Sequence, residues 1–124
     1  MTAKPKILIV DDEALVSMAL AEELKEQGFD VMCLFGSSEK IMSALDDNLP
    51  DAAFLDVNLG LGRTSYELAA MLMEKGVPVT FVTGYDEVHV KDDRFAEAAY
   101  LTKPVFPEHA VAQAYRMLKR TESA

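Results

Sequence analysis

Short apolar runs alternate with stretches of helical periodicity along the whole chain. Four of the runs end at polar residues, and they cover positions 7–10, 52–55, 79–82 and 98–101. A fifth run extends from Phe29 to Phe35. Apolar runs of this length are typical of strands buried on both faces of a parallel sheet, and their alternation with helices is typical of βαβ units. The pattern predicts an α/β fold, with a doubly wound, five-stranded parallel sheet and helices on both faces.

Four helices follow from apolar residues at helical spacing. The first follows the first strand, the second begins with an N-cap at Ser37, the third follows a loop over 58–62, and the last begins at Pro107. They are expected to end at Gly28, before Pro50, at Gly76 and at Arg120. The inward faces are predicted to carry Val16, Ala19, Leu20 and Leu24 in the first helix, Leu68, Ala69 and Leu72 in the third, and Val111, Ala114 and Leu118 in the last.

The stretch between the fourth and fifth strands fits this scheme less well. Residues from Tyr85 to Arg94 should form a helix, but Val88, Val90 and two aspartates are mediocre helix formers. Two alternatives remain open. One is a short, displaced or mobile helix in this stretch, and the other is an ordinary helix over 92–99.

Length and composition favour a single cytoplasmic domain over residues 1–124. No apolar run approaches the roughly 20 residues that span a bilayer, so membrane insertion is not expected. The formal net charge of −9 argues against direct binding to nucleic acid. Cys33 is the only cysteine and lies in an apolar run. We therefore expect a buried, inert thiol and a reducing compartment.

Three carboxylates are predicted to converge at one edge of the sheet. Asp11 and Asp12 follow the first strand, and Asp56 follows the third. The carboxyl ends of parallel strands lie side by side, and like charges that close together repel unless a cation joins them. Oxygen ligands without histidine or cysteine favour Mg²⁺. A single aspartate there could simply cap a helix, but two adjacent ones with a third on another strand favour a metal site.

Asp56 is the candidate nucleophile at this edge, because a carboxylate is already ionised at neutral pH and needs no general base. Lys103 would supply a positive charge to an incoming phosphoryl group, and a cis Lys103–Pro104 bond would aim it into the pocket. Thr83 and Gly84 offer a hydroxyl and an open backbone amide to phosphoryl oxygens. Each of these signals is weak alone, since Lys-Pro and Thr-Gly pairs are common in turns.

Several nearby residues also have purely structural interpretations. Glu13 should face solvent in the first helical turn, where a negative charge suits the helix dipole. Tyr100 could be a strand aromatic that fills a groove. His89 and His109 are both expected to be exposed.

In this order, the four motifs resemble the receiver domain of two-component response regulators. The motifs are Ile7-Leu8-Ile9-Val10-Asp11-Asp12-Glu13, Phe54-Leu55-Asp56-Val57-Asn58, Val82-Thr83-Gly84 and Tyr100-Leu101-Thr102-Lys103-Pro104. The resemblance covers residues 6–120. It implies a flavodoxin-like fold with strand order 2-1-3-4-5, and a phosphoacceptor that relays or switches a protein–protein signal.

The resemblance also implies a role for each site residue. Asp56 would take a phosphoryl group from a sensor histidine kinase or a histidine phosphotransfer protein, and the domain would assist its own Mg²⁺-dependent phosphorylation and dephosphorylation. Magnesium would be held by Asp11, Asp12, Asp56 and the backbone carbonyl of Asn58. Thr83 and Lys103 would contact the phosphoryl oxygens. Movement of Thr83 would let Tyr100 turn inward, and the downstream target is not identified.

The chain departs from the usual family pattern after the phosphoacceptor. Leu59-Gly60 replaces the common Met-Pro, which predicts a more flexible loop. Residues 81–85 and 56–60 instead resemble a receiver subgroup named for a Phe-Ala-Thr-Gly-x-Tyr stretch, with mismatches at Val82 and Tyr85. With the irregular stretch at 85–94, these differences put the usual switching route in doubt.

Two other functional classes compete with a phosphoacceptor. A phosphatase of the haloacid dehalogenase kind also uses a strand-end aspartate, but it needs a second aspartate where this chain has Asn58. A pseudo-receiver would bind partners without phosphorylation. As a phosphoacceptor, the chain could be a free-standing regulator or a receiver cut from a hybrid protein, and its sequence fits both.

Overall fold

The computed structural model describes residues 4–84, 93–95 and 98–122. Its strands are β1 (Lys6–Val10), β2 (Asp30–Leu34), β3 (Ala52–Asp56), β4 (Asn58–Gly60), β5 (Arg63–Thr64), β6 (Val79–Thr83) and β7 (Ala99–Thr102). Its α-helices are α1 (Ala14–Glu26), α2 (Ser38–Leu45), α3 (Tyr66–Glu74) and α4 (Pro107–Glu122). No helix in these ranges is long and apolar enough to cross a membrane.

Five of the strands form one parallel sheet in the order β2-β1-β3-β6-β7. Counted without the small β4–β5 hairpin, this is the order 2-1-3-4-5 of a flavodoxin-like fold, and the predicted fold class is confirmed. The β3 and β6 strands are buried at every position, because helices cover both faces. This is why their sequences are apolar runs without alternation.

The two faces of the sheet carry separate cores. Alternate residues of β1 point to opposite faces, with Leu8 and Val10 toward α2 and α3, and Ile7 and Ile9 toward α1 and α4. The predicted inward residues of α3 are confirmed. They are Leu68, Ala69 and Leu72.

The inward face of α1 differs from the prediction. Leu20 and Leu24 are buried as expected, but Val16 and Ala19 are exposed. Ser17 and Ala21 are buried in their place. Small side chains let α1 approach the sheet closely. The buried face therefore includes Ser17 and Ala21, which the apolar pattern of the sequence did not indicate. In α4 the predicted face is confirmed, with a buried Ala114 between half-buried Val111 and Leu118.

Cys33 is exposed rather than buried, because β2 is an edge strand of the sheet. Its sulfur nevertheless lies against α1, where it donates a weak hydrogen bond to the Ser17 carbonyl at 3.8 Å. This partial burial raises the pKa of the thiol, with Lys25 opposing the shift. A raised pKa leaves less thiolate at neutral pH, which favours the expected inert thiol.

The segment after β3 is a β-hairpin, so the prediction of a loop over 58–62 is wrong, while its flexibility stays a prediction. The β4 and β5 strands pair antiparallel, with Asn58 opposite Thr64. Arg63 donates from Nε to the Gly60 carbonyl at 3.2 Å and from Nη2 to the Leu59 carbonyl at 3.3 Å. Ser38 at the start of α2 donates to the Thr64 carbonyl at 3.0 Å. These bonds define the hairpin and attach it to the body of the domain.

The irregular stretch is only partly described. Positions 85–92, which include His89, lie outside the described residues. The described part, Asp93–Phe95, is one turn of 3₁₀ helix. Because β7 begins at Ala99, the alternative of a helix continuing to that residue is wrong.

Candidate functional site

The predicted site residues meet at the carboxyl edge of the sheet. Asp56 is the last residue of β3, and Thr83 is the last residue of β6. Asp56 pairs with Val82, so these two strand ends are adjacent. Asp11 directly follows β1, and Lys103 directly follows β7. Strand order therefore brings together residues that are far apart in sequence.

Asp11, Asp12 and Asp56 form an acidic pocket. Each offers a carboxylate oxygen within 4.8 Å of those of the other two. Asp11 and Asp56 are buried, and Asp12 is exposed at the mouth. Three hard oxygen donors with no histidine or cysteine among them fit Mg²⁺ by ligand chemistry. Backbone amides orient two of the carboxylates, since Glu13 N donates to Asp11 Oδ1 at 2.8 Å and Asn58 N donates to Asp56 Oδ1 at 3.1 Å.

Lys103 closes the pocket from the β7 side. Its Nζ lies 2.7 Å from Asp56 Oδ2 and 3.8 Å from Asp11 Oδ2. The Lys103 amide donates to the Thr83 carbonyl at 2.8 Å, which fixes the backbone beside β6. The Lys103–Pro104 bond is cis, as predicted. The Lys103 ammonium and the three carboxylates thus share one pocket.

Burial raises the pKa values of two carboxylates in the pocket, because the positive charge of Lys103 does not fully offset it. Burial raises the pKa of Asp56, and the hydrogen bond and charge of Lys103 only partly oppose this. Burial also raises the pKa of Asp11, and the hydrogen bond from the Glu13 amide and the charge of Lys103 oppose this rise. For Lys103 itself, burial lowers the pKa, but the bond to Asp56 and the surrounding carboxylates outweigh it and raise the pKa. Burial raises the pKa of Asp56 by more than the contact with Lys103 lowers it, and the Asp56 side chain is only 4% exposed against 25% for Lys103.

Replacing Asp11 by asparagine should stabilise the metal-free protein. A carboxyl whose folded pKa is raised above its unfolded value, here 3.8, favours folding when protonated. Its contribution to stability is therefore lost as pH rises from that value through the folded pKa. We expect the midpoint of thermal unfolding of Asp11→Asn in EDTA to exceed that of the wild type by roughly 2–8 °C at neutral pH. Circular dichroism measures both midpoints. The difference should shrink toward pH 4, and equal midpoints at neutral pH would contradict the argument.

Glu13 lies at the pocket, although the sequence predicted that it would face only solvent. Its Oε1 is 3.4 Å from Lys103 Nζ, and its side chain is 59% exposed. The contact joins residues 90 positions apart, so no local pattern could have indicated it. His109 is exposed, as expected.

Tyr100 lies beside β6 on the face that Phe81 and Thr83 share. It pairs with Phe81 in the sheet register, and the two rings are stacked with centroids 6.0 Å apart. The Tyr100 hydroxyl donates to the Phe95 carbonyl at 3.0 Å. The residue is 36% exposed, so it lies at the surface and does not fill a groove.

An apolar groove of about 620 Å³ adjoins the pocket. It runs between α1 and the segment that leads into α4, and Leu15 and Val105 are among its apolar walls. Asp11, Glu13 and Lys103 also line it, so the groove is continuous with the acidic pocket. A molecule seated in the groove would contact Asp11, Glu13 and Lys103.

Comparison with known proteins agrees with this geometry. The family model described as the response regulator receiver domain matches residues 7–115. The transcriptional regulatory protein PrrA of Mycobacterium tuberculosis is 35% identical over 125 residues, which cover 96% of this chain and 52% of PrrA. The chain thus spans about half the length of the curated relatives it matches.

Solved structures give the same result. The solution structure of SdrG from Sphingomonas melonis Fr1 superposes with a TM-score of 0.78 at 34% identity, covering 96% of this chain and 99% of SdrG. A response regulator receiver protein from Burkholderia phymatum superposes with a TM-score of 0.78 at 30% identity, covering 94% of this chain and 96% of that protein.

Proposed function

The chain belongs to the response regulator receiver domain family of two-component systems, and from this premise we propose that it accepts a phosphoryl group on Asp56 and passes on a protein–protein signal. The observation that carries the proposal is the 2.7 Å contact between Lys103 Nζ and Asp56 Oδ2 within a cluster of three carboxylates. Asp56 is ionisable, and its carboxylate lies within 4.8 Å of that of the exposed Asp12.

In the proposed reaction a carboxylate oxygen of Asp56 attacks phosphorus in line with the departing group. The new bond is an acyl phosphate, and the electron pair of the broken bond leaves with the donor, an imidazole nitrogen if the donor is a phosphohistidine. No proton needs to be removed from the nucleophile, which fits a pocket that has no histidine among its described residues. In-line positioning and charge stabilisation supply most of the catalysis.

The chain's own residues would stabilise the charge that develops on the phosphoryl oxygens. Lys103 would shift from Asp56 to a phosphoryl oxygen, a movement allowed by its four-carbon stem. Thr83 would offer its hydroxyl from the neighbouring strand end. Asp11, Asp12, Asp56 and the Asn58 carbonyl would hold Mg²⁺, which when bound neutralises the carboxylates and the phosphoryl group. The same groups would assist attack by water during dephosphorylation.

A protein is the proposed donor, either a sensor histidine kinase or a histidine phosphotransfer protein. The groove beside α1 supports this, because it offers an apolar surface continuous with the pocket. The net charge of −9 supports a protein partner over nucleic acid.

The proposed location is the cytoplasm, which cell fractionation would test. Membership of the Phe-Ala-Thr-Gly-x-Tyr subgroup remains a proposal, which residues 81–84 support. A single domain over 1–124 also remains a proposal, supported by the one five-stranded sheet with a core on each face.

Intact-mass spectrometry tests the phosphoacceptor function directly. The protein is incubated with acetyl phosphate and Mg²⁺, and a mass gain of one phosphoryl group is expected. No gain is expected when EDTA is present. Transfer from a histidine-phosphorylated phosphotransfer protein should give the same product. Absence of any label from both donors, in protein shown to be folded, would refute the proposal.

Tyr100 and Thr83 are the proposed switch, and the Tyr100 hydroxyl offers a selective test. Its bond to the Phe95 carbonyl links β7 to the end of the irregular stretch. Tyr100→Phe removes that bond but keeps the stacked ring. We expect phosphorylation of Asp56 to stay within about twofold of wild type, because the hydroxyl contacts no pocket residue in the described part of the chain.

The readout for this switch is the change in amide NMR shifts that beryllofluoride, a phosphoryl mimic, causes at residues 93–95. In Tyr100→Phe these changes should fall to less than about half of their wild-type size. Equal changes in both proteins would remove Tyr100 from the signalling route and leave the phosphorylation chemistry untouched.

A further inference from the structure

Glu13 lies where the helix dipole favours a negative charge but where capping favours a shorter side chain. It is the N-cap residue of α1, where serine, threonine, aspartate or asparagine is preferred. Its side chain makes no capping hydrogen bond. The backbone amide of Glu13 is instead held by Asp11 Oδ1 at 2.8 Å, which fixes where the side chain begins. The local structure therefore leaves the carboxylate available to another partner.

That partner is Lys103. Glu13 Oε1 lies 3.4 Å from Lys103 Nζ, and Asp56 and Asp11 contact the same ammonium at 2.7 Å and 3.8 Å. The three carboxylates differ in one respect. Asp56 and Asp11 belong to the cluster whose oxygens lie within 4.8 Å of one another, and Glu13 does not.

This difference matters once the pocket is occupied. A cation bound among Asp11, Asp12 and Asp56 would neutralise their negative charge. Phosphorylation would convert the Asp56 carboxylate into an acyl phosphate. Lys103 would then lose most of its attraction to both aspartates. In the described part of the chain, Glu13 is the carboxylate contact of Lys103 that neither event removes.

We propose that Glu13 is a positioning residue, which holds the Lys103 ammonium at the mouth of the pocket and directs it toward the incoming phosphoryl group. The inference rests on the proposed function, since it assigns a role within the same reaction. Glu13 acts through Lys103 and touches neither Asp56 nor the phosphoryl group.

Two substitutions separate contact from charge. Glu13→Gln removes the charge at nearly constant size. Glu13→Asp keeps the charge but shortens the side chain, so that the carboxylate no longer reaches Lys103. With saturating Mg²⁺ and acetyl phosphate, both variants should lower the rate constant for labelling about two- to fivefold, the range for a partly exposed ion pair. Glu22→Gln, on the exposed face of α1, is the matched control and should leave the rate unchanged.

A double-mutant cycle shows whether Glu13 acts through Lys103. In a Lys103→Met background, Glu13→Gln should change the remaining rate by less than about 1.5-fold, because the partner is gone. A readout independent of activity comes from the metal-free protein. The NMR signal of the Lys103 Cε–Hε group should shift in Glu13→Gln and Glu13→Asp, but not in Glu22→Gln.

The outcomes are distinct. A rate in Glu13→Asp equal to wild type would mean that charge alone matters and would overturn the positioning role. An equal loss from Glu13→Gln with and without Lys103 would overturn it as well. If the wild type takes no label at all, the proposed function fails and this inference fails with it. Equal thermal midpoints confirm that the compared variants are folded.

Discussion

Phosphorylation is expected to fall at least about a thousandfold when Asp56 is replaced by asparagine, because the nucleophile itself is removed. An amide nitrogen or oxygen does not replace an ionised carboxylate in forming an acyl phosphate. The neighbouring groups remain in place, and the amide keeps nearly the size of the carboxyl at the buried end of β3. Loss of label would therefore report chemistry and not collapse of the site. Intact-mass spectrometry with acetyl phosphate and Mg²⁺ measures it, and peptide mapping locates the label in the wild type.

The matched control is Asp47→Asn, an equivalent change at an exposed aspartate after α2. It should be labelled at the wild-type rate. Label that persists in Asp56→Asn at the wild-type rate would place the phosphoacceptor elsewhere. The mapped peptide would then identify the residue that replaces Asp56 in the mechanism.

Replacing Lys103 by methionine should have opposite effects on two measurements. The rate of phosphorylation should fall by about 10²–10³, the usual loss when one preorganised charge that stabilises the transition state is removed. Binding of Mg²⁺ should tighten by about tenfold, because the ammonium 2.7 Å from Asp56 no longer repels the cation or occupies a carboxylate oxygen. Isothermal titration calorimetry measures the affinity, and the mass assay measures the rate.

The opposite signs make this test specific. A variant that merely loosened the fold would weaken metal binding and phosphorylation together. Lys103→Arg keeps a positive charge in a wider, planar group and should recover Mg²⁺ affinity near wild type with only part of the rate. Lys75→Met, at an exposed residue just after α3, is the control for removal of a surface charge. Weaker Mg²⁺ binding in Lys103→Met would contradict the arrangement proposed for the pocket.

The sheet and its site edge were predictable because their signals are strong at the level of sequence. A strand buried on both faces is mostly apolar along its length, and the polar residues that follow the apolar run mark where it ends. Asp56 and Thr83 were placed in this way, and parallel order then brings them side by side. The cis form of the Lys103–Pro104 bond was open from the sequence only as a possibility, since X–Pro bonds take it at far lower cost than other bonds.

The features that the sequence did not reveal depend on contacts between distant segments. The β4–β5 hairpin is defined by Arg63 reaching across its own turn and by Ser38 donating from α2. The buried face of α1 includes Ser17, whose burial follows from how closely the helix approaches the sheet. The contact of Glu13 with Lys103 requires both ends of the fold to be in place. Periodicity carries no information about such pairs.

Four different strands deliver the groups of the pocket, and the contributing positions extend from 11 to 103. No fragment that lacks the last strand carries a complete set, and β7 joins the sheet only through β6. The ability to accept a phosphoryl group should therefore appear late in folding and in a single step. The labelled fraction of a preparation would then count its fully folded molecules, and destabilising changes far from the pocket would lower that fraction without altering the rate in the molecules that remain intact.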